Sequence, residues 1–254
     1  MWKRVYSGAM NSAANKTPEA APADRPEFPM RINKYLALQK YCTRREADTL
    51  VEKGLVSINR RRAVLGDKVQ EGDKVEVKWR RTKYRYFAYN KPRGVLTHSA
   101  QEGEEEIKEI LPIPGVFPIG RLDKDSYGLI ILSDDGRITE PLLSPEYGHE
   151  KEYEVRTTEK LPTNFKARME RGVNIGGYVT KPCKVEILGD RKFSITLTEG
   201  KKHQIRRMCG FFGLATSELE RKRIMNIKLA GLKSGEHRSI VGTELSTFLK
   251  SLGF

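Results

Sequence analysis

An acidic side chain, Asp123, stands in the turn Gly120-Arg121-Leu122-Asp123-Lys124-Asp125-Ser126, between two apolar runs of a strongly basic chain. Ile119 and Leu122 can anchor this turn from below. The continuous run Leu129-Ile130-Ile131-Leu132 that follows has the form of a fully buried strand. A carboxylate at a strand entrance, with Arg121 and Lys124 beside it, stays ionised and can serve as a nucleophile. The other reading is a solvated turn residue, like Asp134 and Asp135 a few positions on. A second chemistry-bearing stretch is Lys201-Lys202-His203-Gln204-Ile205-Arg206-Arg207-Met208-Cys209. There Ile205, Met208, Cys209 and Phe212 recur at i, i+3, i+4 and i+7, one buried helix face. The basic side chains fall one turn apart on the other sides, which taken alone describes a basic surface helix.

Other chemistries lack their residues. The three cysteines (Cys42, Cys183, Cys209) contain no CxxC pair and the four histidines show no ligand spacing, so no metal site and no disulfide framework is expected. Buried or inert thiols in a reducing compartment fit this usage. Neither a GxxxxGK[ST] loop nor a GxGxxG turn after a strand is present, and no cofactor is expected. Forty-seven Lys and Arg face 33 Asp and Glu among 254 residues, a net charge of +14. That excess attracts polyanions, nucleic acid first, because each neutralised phosphate releases counterions. A membrane is not an expected partner, since no apolar run approaches a span.

The elements that position these residues divide the chain into a leader over 1–29, a small domain over 30–78, a basic linker over 79–85 and a larger domain over 86–254. The leader, rich in Ala, Pro and Asn with no apolar stripe, reads as disordered. In the small domain, Ile32, Tyr35 and Leu36 mark a first helix, and Thr43 with Glu46 forms a capping box for a second. Ala47, Leu50 and Val51 give that helix its buried face and Gly54 ends it. Val56-Ser57-Ile58 alternates as a strand, Asn59-Arg60-Arg61-Arg62 turns, and Lys74-Val75-Glu76-Val77 alternates again. Arg31, Lys34, Arg44, Arg45, Arg60, Arg61 and Arg62 fall at helix starts and at that turn, where they can converge on one face. The scarcity of compensating acids beyond Glu46, Asp48 and Glu52 favours convergence over an evenly solvated surface. This helix-helix-hairpin unit resembles the RNA-binding domain named after ribosomal small-subunit protein four, through Arg31-Ile32-Asn33-Lys34-Tyr35-Leu36, Thr43-Arg44-Arg45-Glu46-Ala47 and Val56-Ser57-Ile58-Asn59. Arg60 stands where that hairpin usually has Gly.

In the larger domain, Tyr86-Phe87-Ala88-Tyr89 reads as a strand before the turn Asn90-Lys91-Pro92-Arg93-Gly94, and the acidic loop 101–106 reads as exposed. Lys151-Glu152-Tyr153-Glu154-Val155 alternates, putting Lys151, Tyr153 and Val155 on one face. Leu161, Phe165 and Met169 mark a helix stopped at Gly172. Val185-Glu186-Ile187 and Phe193-Ser194-Ile195-Thr196-Leu197 are strands joined at Gly189-Asp190. Helices and strands mix irregularly, so the expected class is α+β, with a mixed, largely antiparallel sheet flanked by helices.

Four segments in order are similar to pseudouridine synthases of the branch that modifies ribosomal RNA: Asn90-Lys91-Pro92-Arg93-Gly94, Gly120-Arg121-Leu122-Asp123, Lys151-Glu152-Tyr153 and Gln204-Ile205-Arg206-Arg207-Met208. The resemblance implies a redox-neutral isomerisation of uridine, with Asp123 as nucleophile or base. It implies that Arg206 pairs with the Asp123 carboxylate, that Tyr153 stacks on the target base, that Ile205 forms an apolar floor, and that Lys151 and Arg121 support substrate binding. Lys202 and His203 depart from the large-subunit pattern, in which Asn and Arg are usual. The Lys124-Asp125-Ser126 step and Leu219-Glu220-Arg221-Lys222-Arg223-Ile224-Met225-Asn226 favour a large-subunit, 23S ribosomal RNA enzyme. Transfer RNA, small-subunit RNA and a non-catalytic ribosome-assembly role are the alternatives. The expected partner is ribosomal RNA or a pre-ribosomal particle, met by a cytoplasmic monomer.

Overall fold

The computed structural model of the protein describes residues 27–79, 83–97, 106–111 and 113–254. Nearly all of the expected leader, the centre of the basic linker and residues 101–105 of the acidic loop lie outside them.

The N-terminal unit runs β1 (Met30–Arg31), α1 (Ile32–Leu38), α2 (Arg44–Glu52), β2 (Val56–Ile58), β3 (Arg61–Arg62), β4 (Lys68–Val69) and β5 (Val75–Val77). The capping box forms as expected: Thr43 Oγ1 accepts from the Glu46 amide at 3.1 Å, and Glu46 Oε2 accepts from the Thr43 amide at 2.9 Å. Ile32, Leu36, Ala47, Leu50, Val51, Val56 and Ile58 share one core. The hairpin turn is shorter than the four residues expected, because Arg61 and Arg62 already pair with β2. Asn59 and Arg60 alone make the turn, at φ 49° and 69°. Two successive left-handed residues match the twist of the flanking strands. Asn59 makes up for the missing glycine, its Oδ1 accepting from the Lys74 amide and its Nδ2 donating to Asp73.

The second unit is built on a sheet in the order β10-β11-β9-β12-β8-β6-β14, with β13 on β12 and β7 on β8. Its strands are β6 (Tyr86–Lys91), β7 (Phe117–Ile119), β8 (Tyr127–Ser133), β9 (Lys151–Thr157), β10 (Lys184–Gly189), β11 (Lys192–Leu197), β12 (Thr216–Ile224), β13 (Ile227–Lys228) and β14 (His237–Ser239). Its helices are α3 (Ile107–Ile110), α4 (Thr139–Leu143), α5 (Phe165–Glu170), α6 (Gln204–Gly210) and α7 (Gly242–Ser251). Only the β8–β12 pairing is parallel, so the sheet is mixed and largely antiparallel, as its sequence suggests. β8 is covered on both faces. Leu129 and Ile131 enter a core with Ile227 and Phe248, while Ile130 and Leu132 enter another with Tyr89 and Ile107. Each such side chain contributes about 1.5–3 kcal/mol by burial, which makes β8 a firm base for the loop that precedes it.

Several expectations need correction. Leu161 lies outside α5, where its amide caps a loop by donating to the Asp190 carbonyl. Asp134 and Asp135 are buried, not solvated: Asp134 accepts from Arg85, and Asp135 accepts from Tyr86 Oη and Arg137. β12 and α7 carry no apolar run that announces them, yet β12 is the central strand joining the two halves of the sheet. The thiols of Cys42 and Cys183 are pushed up to about 12 and that of Cys209 to about 11, in each case chiefly by burial, which suppresses the reactive thiolate. Among the described residues no helix is long and apolar enough to cross a membrane.

Candidate active site

The loop between β7 and β8 carries Asp123 and is tied down residue by residue. Gly120 turns the chain at φ +86°, a left-handed conformation that favours glycine. Thr97 Oγ1 holds both backbone groups of Leu122, accepting from its amide at 3.1 Å and donating to its carbonyl at 2.8 Å. The Ser126 amide donates to the Asp123 carbonyl at 3.0 Å and the Gly94 amide to the Lys124 carbonyl at 2.8 Å. That second bond draws the Asn90-Lys91-Pro92-Arg93-Gly94 turn into the site. With its backbone engaged this way, the loop presents the Asp123 side chain at a defined point, 38% exposed.

Asp123 lines a cavity of about 550 Å³ with Arg121, Tyr153, Ile205 and His203. Tyr153 comes from β9, where its ring packs partly against the Val155 core and partly faces the cavity. Ile205 is buried at the start of α6 and supplies an apolar surface. His203 precedes that helix in the left-handed region, φ 52° and ψ 32°, and its side chain caps no amide. Instead its Nε2 stands 3.6 Å from Asp123 Oδ1. The loop leading to His203 is braced by buried Glu199, which accepts from Tyr178 Oη, the Lys181 amide and Gln204 Nε2. Gln204 Oε1 in turn accepts from the Lys201 amide at 2.8 Å.

The resemblance implied an Asp123–Arg206 ion pair, and here the structure arranges the residues differently. Arg206 Nη1 donates to the Thr216 carbonyl at 3.1 Å and Nη2 to the Asp125 carbonyl at 3.3 Å. It thus holds the backbone of the Asp123 loop, two residues on, and the imidazole of His203 is the side chain beside the carboxylate. Lys151 is half-buried on β9, its Nζ donating to the His149 carbonyl at 3.4 Å. Burial, and next the charge of Arg221, pushes the Lys151 amine down to about 8. The same two causes bring the fully buried Lys91 to about 8, against the opposing pull of Asp123 and Asp125. Lys91 Nζ donates to the Pro92 and Val95 carbonyls at 2.9 and 2.6 Å, fixing the turn that reaches the Asp123 loop.

The cations of the N-terminal unit are a separate set. Arg31, Arg44, Arg45, Arg60, Arg61 and Arg62 are exposed and Lys34 is half-buried. Two of them have intramolecular partners: Arg61 pairs with Asp67 at 2.9 Å, and Arg62 covers Gly54 while donating to the Glu52 carbonyl at 3.1 Å. Arg60 and Arg62 share a hollow of about 300 Å³ with Lys78 and Glu76.

Sequence reasoning missed Thr97, Glu199, Lys91 and Arg221 as parts of this site. Lys91 lay within a noted turn without a role, and Arg221 within a noted tail segment. Thr97 and Glu199 carried no signal, because each acts through a fold-dependent contact. The assembled site offers an accessible carboxylate on a rigid loop, an aromatic ring for a planar group and a rim of cations, an arrangement suited to a base extruded from a polyanion.

Comparison with known proteins agrees with this description. Residues 85–210 match the family described as RNA pseudouridylate synthase, and residues 30–75 match the S4 domain. The dual-specificity RNA pseudouridine synthase RluF of Salmonella typhi is 42% identical over 228 residues, 87% of this chain and 78% of its own length. RluF of Escherichia coli K12 is 41% identical over 89% of this chain and 80% of its own length. Ribosomal large subunit pseudouridine synthase B of Bacillus subtilis is 32% identical over 85% and 93%. A crystal structure of a pseudouridylate synthase superposes with a TM-score of 0.64 at 28% identity, covering 88% of this chain and 99% of that one.

Proposed function

This chain belongs to the RNA pseudouridylate synthase family, and we propose that it isomerises specific uridines of 23S ribosomal RNA with Asp123 as the reacting carboxylate. The reaction breaks the bond from ribose to uracil nitrogen, turns the base and rejoins it through carbon. A proton leaves that carbon and one is gained at the nitrogen, so no electron donor or energy source enters the balance. The observation that carries the role of Asp123 is its placement: a partly exposed carboxylate in the cavity, on a loop whose backbone is fixed by Thr97, Gly94 and Arg206. As nucleophile or base it divides one difficult displacement into easier steps.

The target uridine leaves its stack at a cost of a few kcal/mol. Stacking on Tyr153 returns about 1–3 kcal/mol. Phosphate contacts from Arg121, Lys201, Lys202 and the cations of the N-terminal unit supply the remainder. Arg206 orders the loop through the Asp125 carbonyl. The choice of 23S RNA rests on the large-subunit pattern around Lys124-Asp125-Ser126 and on the RluF relatives, whose name carries dual specificity, so a second RNA class belongs in the test. The same reading takes the protein to act as a monomer on cytoplasmic RNA.

The deciding experiment incubates wild type and Asp123→Asn with 23S, 16S and transfer RNA, then maps pseudouridine chemically. Wild type should modify 23S RNA, and Asp123→Asn should bind it equally well and form no product. Product only on another RNA would move the substrate, and near-normal turnover by Asp123→Asn would remove the carboxylate from its role.

A further inference from the structure

A buried guanidinium is costly unless its N–H groups meet strong acceptors, and the usual acceptor is a carboxylate. Arg221, in the middle of β12, is only 4% exposed, and no carboxylate lies within ion-pair distance of it among the described residues. Its Nε donates to the Leu129 carbonyl at 2.6 Å and its Nη1 to the Arg121 carbonyl at 3.3 Å. Those two carbonyls bracket the loop that carries Asp123, one at its start and one where β8 has begun. Nη2 is buried with no hydrogen-bond partner. The guanidinium carbon also lies 6.0 Å from the centre of the Tyr153 ring, the residue paired with Arg221 across β9 and β12. Gly128 makes the arrangement possible, since at φ +100° its missing Cβ would fall 2.5 Å from the Arg221 carbonyl oxygen.

We propose that Arg221 is a positioning residue for the isomerisation, clamping both ends of the Asp123 loop and fixing that loop against the Tyr153 ring. The proposal rests on the assignment of this cavity as the active site. Three neutral or aromatic partners repay burial of this charge poorly, so stability alone is a weak reason for an arginine here. Placement is a stronger one. A carboxylate that must meet its target on the nucleoside, as nucleophile or base, loses about 10²-fold in rate for a misplacement on the order of 1 Å. The same cation also depresses the buried Lys91 and Lys151 amines, so a second consequence of removing it is that both take up protons more readily.

Single-turnover modification of a 23S fragment by Arg221→Met and Arg221→Lys tests this, alongside thermal melting and RNA affinity. Arg221→Met should lower the rate constant by about 10²-fold, with RNA affinity within about threefold of wild type and the reaction still running to its full amplitude. Arg221→Lys, which keeps the charge but cannot span both carbonyls, should recover only part of that loss. A merely structural arginine would act otherwise: the amplitude would fall with the melting temperature while the surviving molecules reacted at the wild-type rate. That result, or a wild-type rate in either folded variant, overturns the proposal. Should Arg221→Met fail to fold, Arg221→Lys decides, and its rate must fall at least about tenfold. Asp123→Asn measured in parallel separates the two ideas. If it stays active while Arg221→Met is slow, the carboxylate assignment fails and the clamp stands only as a brace of the loop against the Tyr153 ring; a dead Asp123→Asn with a fast Arg221→Met keeps the carboxylate and overturns the clamp.

Discussion

Lys91 and Lys151 illustrate how much of the site lies beneath the residues that touch substrate. Both amines are pushed from 10.5 down to about 8, first by burial and then by Arg221. The unfolded chain therefore binds more protons than the folded one between about pH 8 and 10.5, and stability rises with pH through that window. Below pH 8 both states are protonated and the full cost of the buried charges is present. The expected outcome is that Lys151→Met is more stable than wild type at pH 7 and that the difference shrinks by pH 10, read from urea midpoints at the two pH values. A difference that stays constant would mean that Lys151 titrates normally. At this scale the sequence was informative wherever a residue acts through its own chemistry. Asp123, Tyr153, Ile205 and Arg121, each singled out from its own motif, line one cavity. The guanidinium partners escaped it: Arg206 was paired with Asp123 and Arg221 had no partner assigned, whereas both bind carbonyls whose positions only the assembled loop defines.

Elements with a local signature were legible for the same reason. The capping box of α2 needs only Thr43 and Glu46, and the apolar run of β8 needs only its own residues and a place to bury them. β12 has neither: Thr216-Ser217-Glu218-Leu219-Glu220-Arg221-Lys222-Arg223-Ile224 reads as a polar segment, yet it lies between β8 and β9. Its charges are accommodated by the neighbours, Arg223 pairing with Glu150 and Glu152 at 3.0 and 2.7 Å and Arg221 reaching backbone carbonyls. The backbones approach closely at Gly128, where a Cβ would meet the Arg221 carbonyl oxygen at 2.5 Å and its amide nitrogen at 2.7 Å. A left-handed non-glycine residue already costs about 1–3 kcal/mol, and here the obstruction is backbone. Gly128→Ala should therefore lose at least about 2 kcal/mol in equilibrium unfolding and, by shifting β8 against β12, slow modification as well. Gly66→Ala, also at positive φ but with open space around its Cβ position, is the control that isolates the strand clash. Equal losses in the two variants would mean that conformation alone, not the β8–β12 contact, sets the cost.

The two units meet in specific contacts around Arg137 and Lys40. Arg137 is held by Asp135, stacks over Tyr84 and Phe254 at 4.2 and 4.9 Å, and donates to the Lys40 carbonyl at 3.2 Å. Lys40 returns the contact through its amine to the carbonyls of Leu252 and Gly253. These contacts fix the cations of the first unit relative to the cavity of the second. The cations that would grip RNA are not all equal. Arg61 and Arg62 are tied to Asp67 and to the end of α2, whereas Arg44 and Arg45 occupy the first turn of α2. A helix N-terminus disfavours cations, each by about 0.3–1 kcal/mol, so these two arginines sit there against the interest of the helix. Their replacement by Glu should leave α2 intact or slightly firmer, which removes unfolding as an explanation for any lost binding. The triple variant Arg44→Glu, Arg45→Glu, Arg60→Glu should then bind a 23S fragment more weakly, and its log–log salt slope should fall by about 2–3, given roughly 0.7–0.9 per phosphate neutralised. Titrations between 50 and 200 mM salt measure it. Modification at saturating RNA should proceed at the wild-type rate, because the cavity is untouched. A salt slope equal to that of wild type would place the RNA path elsewhere, over Lys201, Lys202 and Arg121 alone, and leave the N-terminal unit without a part in recognition.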